Sequence, residues 1–425
     1  MKYTAVRGTR DILPEEMKKW HFIENTAREV FKNCGFGEMR TPLFEQTELF
    51  VRSIGTDTDI VTKEMYNFKD KKGRDLSLRP EGTAGIIRAA IENKLLNEGQ
   101  LSKFYYIGPM YRYERPQKGR QREFYQIGAE LVGIKHFLHE YEAIWTLYTI
   151  LTKLGLKNLK LFINNIGCKV CRLKYMESLT NYFNNNISQM CPDCNRRFHT
   201  NILRILDCKE EKDIQIIRSA PKITDFICKD CQSSSLELQG ALKTGGIDYE
   251  IAPYMVRGLD YYTNNVFEIK STGLGAQDTL AAGGRYDSLV SEMGGAEMSG
   301  TGFSIGVERL LLACEHENVI NNWKLEKTDI YVAILGKEAV KTSTATLINP
   351  LRNSNISCDY GFSPDNNLKS LLKTADRLKT AYVIIIGNDE LSSGKAIVKN
   401  MKDGTQEEIR IDVLVDEIKI KLKNT

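Results

Sequence analysis

No apolar run in this chain approaches the roughly 20 residues that a membrane-crossing helix needs; the densest, Ala381–Ile386, falls far short. The opening stretch, MKYTAVRGTRDILPEEM, lacks the apolar segment of a secretory leader, so a cytoplasmic protein with no membrane attachment is expected. An excess of one charge is also missing. A net +4, from 59 basic and 55 acidic residues, is too small to argue for nucleic acid by itself. Cysteine is sparse over most of the 425 residues, with Cys34, Cys314 and Cys358 scattered, yet seven of the ten fall between Cys168 and Cys231. Six of those seven form three C-x-x-C pairs. In a large chain without a leader, such spacing reads as thiolate metal ligation before it reads as disulfides.

What is present is ordinary globular composition, 42% hydrophobic and 27% charged, and a length that implies two or three domains. The centre of the pattern is Tyr111–Glu130, YRYERPQKGRQREFYQIGAE. Apolar, β-prone flanks at Phe104–Tyr111 and Phe124–Ile134 enclose a middle rich in arginine and broken by Pro116 and Gly119, which gives strand, basic loop, strand. Side chains alternate along a strand, so Phe124, Gln126, Gly128 and Glu130 share one face: an aromatic plate, an amide, a gap and a carboxylate. That face makes a poor core layer and a good floor for a charged planar ligand, with Arg112 aimed over it.

Around this centre, Pro14–Cys34 reads as a helix stopped by Gly35, Phe36–Phe44 as a strand interrupted at Pro42, and Asp75–Arg79 as a short strand. Pro80–Thr83 turns into a helix that Thr83 can cap through its hydroxyl. The segment from Gly167 to about Gly240 changes character and looks inserted. Beyond Thr328 strands and helices alternate: Asp329–Leu335, Lys337–Arg352, Ile356–Tyr360, Asn367–Lys379 and Tyr382–Ile386, then a hairpin at Asp403-Gly404 and a helix Leu414–Lys423. This argues for a separate α/β domain.

Three further stretches carry chemistry. Arg257–Tyr262 (RGLDYY) sets an arginine and two tyrosines beside a flexible glycine, and Leu280–Asp287 (LAAGGRYD) has small residues that permit close approach. Gly300–Arg309 (GTGFSIGVER) has the wrong glycine spacing for a dinucleotide fold; glycines and an arginine at a helix start fit closing over a triphosphate better.

Together these stretches resemble the three signature motifs and the two histidine-specific motifs of class II histidyl-tRNA synthetases. Phe31–Glu45 is similar to motif 1, with Pro42 at the family's dimer-interface proline. Tyr111–Glu130 resembles motif 2 and Gly300–Arg309 resembles motif 3, while RPEG at Arg79–Gly82 and ILDCK at Ile205–Lys209 extend the likeness. The resemblance implies an α+β fold: a class II catalytic domain with an antiparallel sheet (1–166 and 241–325), an inserted Cys-rich module (167–240) and a C-terminal α/β anticodon-binding domain (328–425). It implies a homodimer that takes histidine, ATP with Mg²⁺, and a histidine tRNA. Arg112 and Arg257 match arginines at the α-phosphate and carboxylate, Arg309 the one on the γ-phosphate, and Phe124 the plate under adenine. Glu81, Thr83 and Gln126 match positions that hold the amino acid's α-amino and carboxylate groups. Glu130 and Tyr262 match the pair reading the imidazole nitrogens, with Tyr261 and Tyr286 lining the pocket. Arg115, Lys118, Arg120 and Arg122 fit the tRNA acceptor end as phosphate contacts.

The cysteines add something the family does not require. Three pairs can build one Cys₄ zinc site with a pair left over. An insertion leaves and re-enters its parent at neighbouring points, so Cys168, Cys171, Cys228 and Cys231 are expected to meet. The rival is the middle pair, Cys191 and Cys194, with Cys208. Two other readings share the fold: the regulatory paralogue of ATP phosphoribosyltransferase, which charges no tRNA, and a class II synthetase for another amino acid.

Overall fold

The computed structural model describes residues 3–275, 278–363, 365 and 367–423, in two compact units that divide after Trp323. The strands of the first unit, in chain order, are β1 (Gly37–Glu38), β2 (Phe44–Gln46), β3 (Asn67–Lys69), β4 (Asp75–Leu78), β5 (Ser102–Tyr111), β6 (Glu123–Gly133), β7 (Leu159–Asn165), β8 (Tyr249–Ile251), β9 (Thr263–Ser271), β10 (Thr279–Tyr286) and β11 (Ser299–Gly306). Eight of them form one sheet, in the order β1-β5-β6-β11-β10-β9-β7-β8. It is antiparallel except where β1 joins β5 and β8 joins β7. The basic hairpin β5/β6 lies inside it, with Tyr106 opposite Gly128 and Phe104 opposite Glu130.

The two-residue period divides this sheet chemically. Ile127, Ala129 and Leu131 of β6, with Phe267, Ile269, Phe303 and Ile305 of its neighbours, face a core closed by the helices Pro14–Asn33 and Phe137–Lys153. Phe31 of the first helix stacks on Tyr105 at 4.4 Å, and its truncation to alanine would cost about 3–5 kcal/mol. The first helix stops where Gly35 takes φ +75°, the left-handed turn that glycine adopts cheaply. The other face carries the polar residues, and Ile86, Ile87 and Leu289 cover only part of it, over Tyr106, Met110, Val132 and Val266.

Two local expectations fail. The strand expected over Phe36–Phe44 is two strands in different sheets: β1 lies along β5, whereas β2 pairs with β4 in a small sheet ordered β2-β4-β3. Pro42 falls between them and has no N–H for a ladder, so pairing ends there. Thr83 does not cap its helix, Thr83–Glu92. Both oxygens of Glu81 do so instead, accepting the N–H groups of Thr83 (2.7 Å) and Ala84 (2.9 Å), which leaves the Thr83 hydroxyl for the cleft.

Between β7 and β8 the helices Lys169–Asn184, Pro192–Thr200, Glu211–Ile217 and Lys229–Thr244 gather a core of their own around Tyr175, Leu179, Phe183, Ile205 and Ile217. The second unit is α/β. Its strands are β12 (Ile330–Leu335), β13 (Cys358–Ser363), β14 (Tyr382–Ile386), β15 (Lys395–Asn400) and β16 (Gln406–Arg410), ordered β13-β12-β14-β15-β16. The first three are parallel and the last two antiparallel. Ile330, Val332 and Ile334 face Leu347, Leu351 and Leu414, while Tyr331, Ala333 and Val383 face Leu371 and Ala375. Both faces are thus covered, as a parallel sheet requires. The helix expected over Lys337–Arg352 widens into a π turn at Thr344–Ile348, because Pro350 lacks an N–H and its ring would crowd the Thr346 carbonyl.

Candidate active site and cysteine clusters

The uncovered part of the large sheet's polar face floors a cleft holding about 380 Å³ of water-accessible space. Its outer end is cationic. The Arg112 Nε–H donates to the Pro80 carbonyl at 2.9 Å, which sets the guanidinium 5.3 Å from the Phe124 ring centroid. Arg257 is paired with Glu268 at 2.5 Å and lies 5.6 Å from the Tyr262 ring, and its buried Nε has no hydrogen-bond partner among the described residues. Arg309 donates to the carbonyls of Gly119 (3.0 Å) and Thr279 (3.2 Å). Each arginine commits only one or two of its five N–H groups in these contacts, so others remain for a ligand. All three line the cleft with Phe124 and Gln126. The Gln126 carbonyl oxygen is a second buried atom without a hydrogen-bond partner among the described residues.

The inner end is a buried hydroxyl and carboxyl cluster. Glu130 is fully buried and accepts from the Thr83 hydroxyl at 2.7 Å and the Tyr286 hydroxyl at 2.6 Å. Burial pushes its carboxyl up to about 8, although both hydrogen bonds pull the other way. Gly302 of β11 makes room for it, since a Cβ there would overlap a Glu130 oxygen. Glu81, Thr83, Tyr261 and Tyr262 line the cleft in front. Burial raises Glu81 too, against the pull of the Ala84 and Thr83 N–H groups.

Every candidate in this group is therefore brought to one place, and the hydroxyls on Glu130 come from Thr83 and Tyr286. One detail differs. The gap at Gly128 is not empty: the Tyr106 ring from β5 fills it, so that a Cβ on Gly128 would overlap that ring. Tyr106 lines the cleft and was missed by sequence reasoning. The signal lay in register, for Tyr106 stands opposite Gly128. Arg285, beside Tyr286, points away into the core and pairs with Glu140, both fully buried.

The loop between β5 and β6 divides its cations. Arg115 and Lys118 are exposed. Arg120 pairs with Glu114 at 2.8 Å, and Arg122 lies 3.8 Å from the Tyr113 ring centroid. The inserted helices reach the cleft from behind. Arg172 donates to the Tyr262 carbonyl, and Asn201 donates to the Asp260 carboxylate at 3.4 Å, so the module buttresses the RGLDYY turn.

All three C-x-x-C pairs take one local form, with the first cysteine at a helix N-cap and the second in the first turn. The Cys171 and Cys231 backbone N–H groups hold the Cys168 and Cys228 thiols below the usual range, while burial pushes Cys171, Cys194 and Cys231 up. Cys168, Cys171, Cys228 and Cys231 converge, with every Sγ within 4.8 Å of the others. Cys171 lies 3.4 Å from Cys168 and 3.9 Å from Cys231. A tetrahedral zinc with Zn–S bonds of about 2.3 Å needs sulfurs about 3.8 Å apart, so these donors fit zinc. The rival quartet converges as well: Cys191, Cys194 and Cys208 meet Asp213.

An antiparallel sheet flooring an arginine-lined cleft, an inserted helical module and a separate α/β unit make up the architecture of a class II aminoacyl-tRNA synthetase. A histidyl-tRNA synthetase family profile matches residues 8–170 and 212–310, and an anticodon-binding domain profile matches 329–421. The chain is 47% identical over 421 residues to a histidine–tRNA ligase of Thermodesulfovibrio yellowstonii, covering 99% of each. It is 48% identical over 415 residues to one from Thermoanaerobacter, covering 98% of this chain and 99% of that one. The crystal structure of apo S. aureus histidyl-tRNA synthetase superposes with a TM-score of 0.82 at 37% identity, covering 98% of this chain and 100% of that one. The chain belongs to the histidyl-tRNA synthetase family.

Proposed function

We infer that this chain is a histidine–tRNA ligase, which activates histidine with ATP to histidyl-adenylate and transfers it to the 3′ end of its tRNA. The observation that carries this reading is one cleft that joins three tethered arginines to a buried carboxyl–hydroxyl pocket. Adenylation places negative charge on the phosphate oxygens and on departing pyrophosphate. Cations already fixed at those points lower the barrier without reorganising. Arg112 and Arg257 take the α-phosphate and the histidine carboxylate, Arg309 the γ-phosphate, and Phe124 lies under adenine. Mg²⁺ neutralises the outer phosphates when bound, and Glu268 and Asp278, which line the same cleft, offer the oxygen ligands it prefers.

Glu81, Thr83 and Gln126 face the amino acid's backbone groups, and Glu130, Tyr261, Tyr262 and Tyr286 form the imidazole end. Tyr106 joins them. A pocket of hydroxyls and carboxyls rejects an apolar side chain because its own buried groups would be left unpaired. Arg115 and Lys118 contact acceptor-end phosphates, while Arg120 and Arg122 shape their loop. The second unit takes the anticodon. The exposed apolar patch Leu43, Phe44 and Phe68 around the small sheet is the face on which a second copy docks to form the homodimer, and the cytoplasm is where the enzyme works. Zinc held by Cys168, Cys171, Cys228 and Cys231 fastens the neck of the inserted module. No helix among the described residues is long and apolar enough to cross a membrane.

Amino-acid-dependent ATP–pyrophosphate exchange, run with each of the twenty amino acids and no tRNA, tests the reading. Exchange with histidine alone supports it. Exchange with another amino acid overturns the roles of Glu130 and Tyr262. A folded, histidine-binding protein without exchange is the regulatory paralogue.

A further inference from the structure

We propose that Cys191, Cys194, Cys208 and Asp213 form a second metal site, suited to Zn²⁺, which anchors the segment carrying Asp207 and Lys209 against the nucleotide cleft. The four residues come from three places in the inserted module. Cys191 caps the helix Pro192–Thr200, and its sulfur accepts the Cys194 N–H at 3.4 Å. Cys208 ends the short turn Ile202–Asp207. Asp213 lies in the helix Glu211–Ile217. Their ligand atoms all fall within 4.8 Å of one another. The Cys191 and Cys208 sulfurs are 3.9 Å apart, and the Cys208 sulfur is 3.2 Å from an Asp213 oxygen. The sulfur spacing matches the roughly 3.8 Å that tetrahedral zinc sets, and the sulfur–oxygen spacing, now that of a thiol hydrogen bond, would open to about 3.6 Å on binding.

The carboxylate is the telling member. Buried thiols by themselves behave as small apolar side chains, and three cysteines in a module core would call for no metal. Asp213, however, is fully buried. Its partners are the Cys191 backbone N–H at 3.1 Å and the Cys208 thiol, and it makes no ion pair among the described residues. Only hydrogen bonds hold this enclosed carboxylate, with no cation beside it among the described residues. A divalent cation fits at the one point where all four donors meet, and the three thiols give up their protons to solvent as they ligate it. A disulfide does not form there, since it needs sulfurs about 2.05 Å apart and all these cysteines are free.

The position of the site gives it a consequence. Cys208 stands between Asp207 and Lys209, both of which line the nucleotide cleft. Arg204 and Leu206, just before it, share a small cavity with Arg257 and Asp260. A metal on Cys208 therefore fixes one wall of the cleft, and Asp207 and Lys209 are positioned through it. This part rests on the cleft being the ATP site.

Zinc is counted by mass spectrometry on full-length protein purified without chelator. Two equivalents per chain are expected, falling to one in Cys191→Ser and to one in Cys168→Ser. A Cys191→Ser protein with the wild-type count overturns the second site while leaving the first standing. Should that variant fail to fold, cadmium-113 NMR of the Cd²⁺-loaded wild type decides. Two resonances are expected, one from four sulfurs and one from three sulfurs and an oxygen, and a lone four-sulfur signal overturns the proposal. For the anchoring role, Asp213→Asn should lose one metal and raise the KM for ATP while kcat stays near wild type. An unchanged KM after that loss refutes the anchoring, and it does so without touching the assignment of the reaction.

Discussion

At the inner end of the cleft, Glu130, Thr83 and Tyr286 satisfy one another before any ligand arrives. At the outer end, Arg112 and Arg309 lean on backbone carbonyls and Arg257 on Glu268. The inner groups are shielded from water and mutually bonded, so their geometry is fixed and a ligand must match it. The outer groups are charged and only half committed, so they can follow charge as it moves during a reaction. On the proposed function, selectivity falls where the fold is closed, and transition-state stabilisation where it is open.

The contrast is broken most severely at Glu130. Alanine there leaves two buried hydroxyls without an acceptor, and kcat/KM for histidine activation should fall by about 10⁴ or more in a protein that circular dichroism shows to be folded. Retained exchange with unchanged histidine affinity would remove Glu130 from the pocket. Next is Arg112→Ala, expected to slow exchange by about 10²–10³ while histidine binding, followed by calorimetry, stays close to wild type. Equal losses in both would mean that the two ends do not act separately. Gly128→Ala pushes a methyl into the Tyr106 ring and should cost about 1–3 kcal/mol of stability, read by urea denaturation; a neutral result means that the ring moves freely.

The smallest effect is a slope. Burial keeps Glu130 protonated up to about 8, against about 4.3 for an unperturbed glutamate. The stability which that proton confers is complete below the lower value and is lost as the pH rises through the higher one. The melting temperature of the wild type should therefore fall relative to Glu130→Gln from about pH 5 to about pH 8. Parallel curves would place the raised carboxyl elsewhere.

Much of this was legible in the chain. The β5/β6 hairpin, the polar face of β6 and the alternation in the second unit follow from periods of two and of about 3.6. What one strand cannot reveal is its neighbour. Gly128 read as a gap because Tyr106, which fills it, sits on another strand, and the glycines of GTGFSIGVER suggested a phosphate loop although Gly302 clears space for Glu130. Thr83 looked like a cap until Glu81 took that place from outside the helix. The end cysteine pairs could be paired by the logic of an insertion, whereas Asp213 belongs to no spacing pattern and joins its cluster only through the packing of the module.

The bond from the Arg309 Nε–H to the Gly119 carbonyl joins the helix that begins at Val307 to the tip of the basic hairpin loop. A macromolecule that grips Arg115 or Lys118 and shifts this loop also shifts a guanidinium that lines the cleft. Linkage makes the effect mutual. Whatever factor the loop's occupant applies to nucleotide affinity, the nucleotide returns to that occupant, so a single carbonyl couples the two.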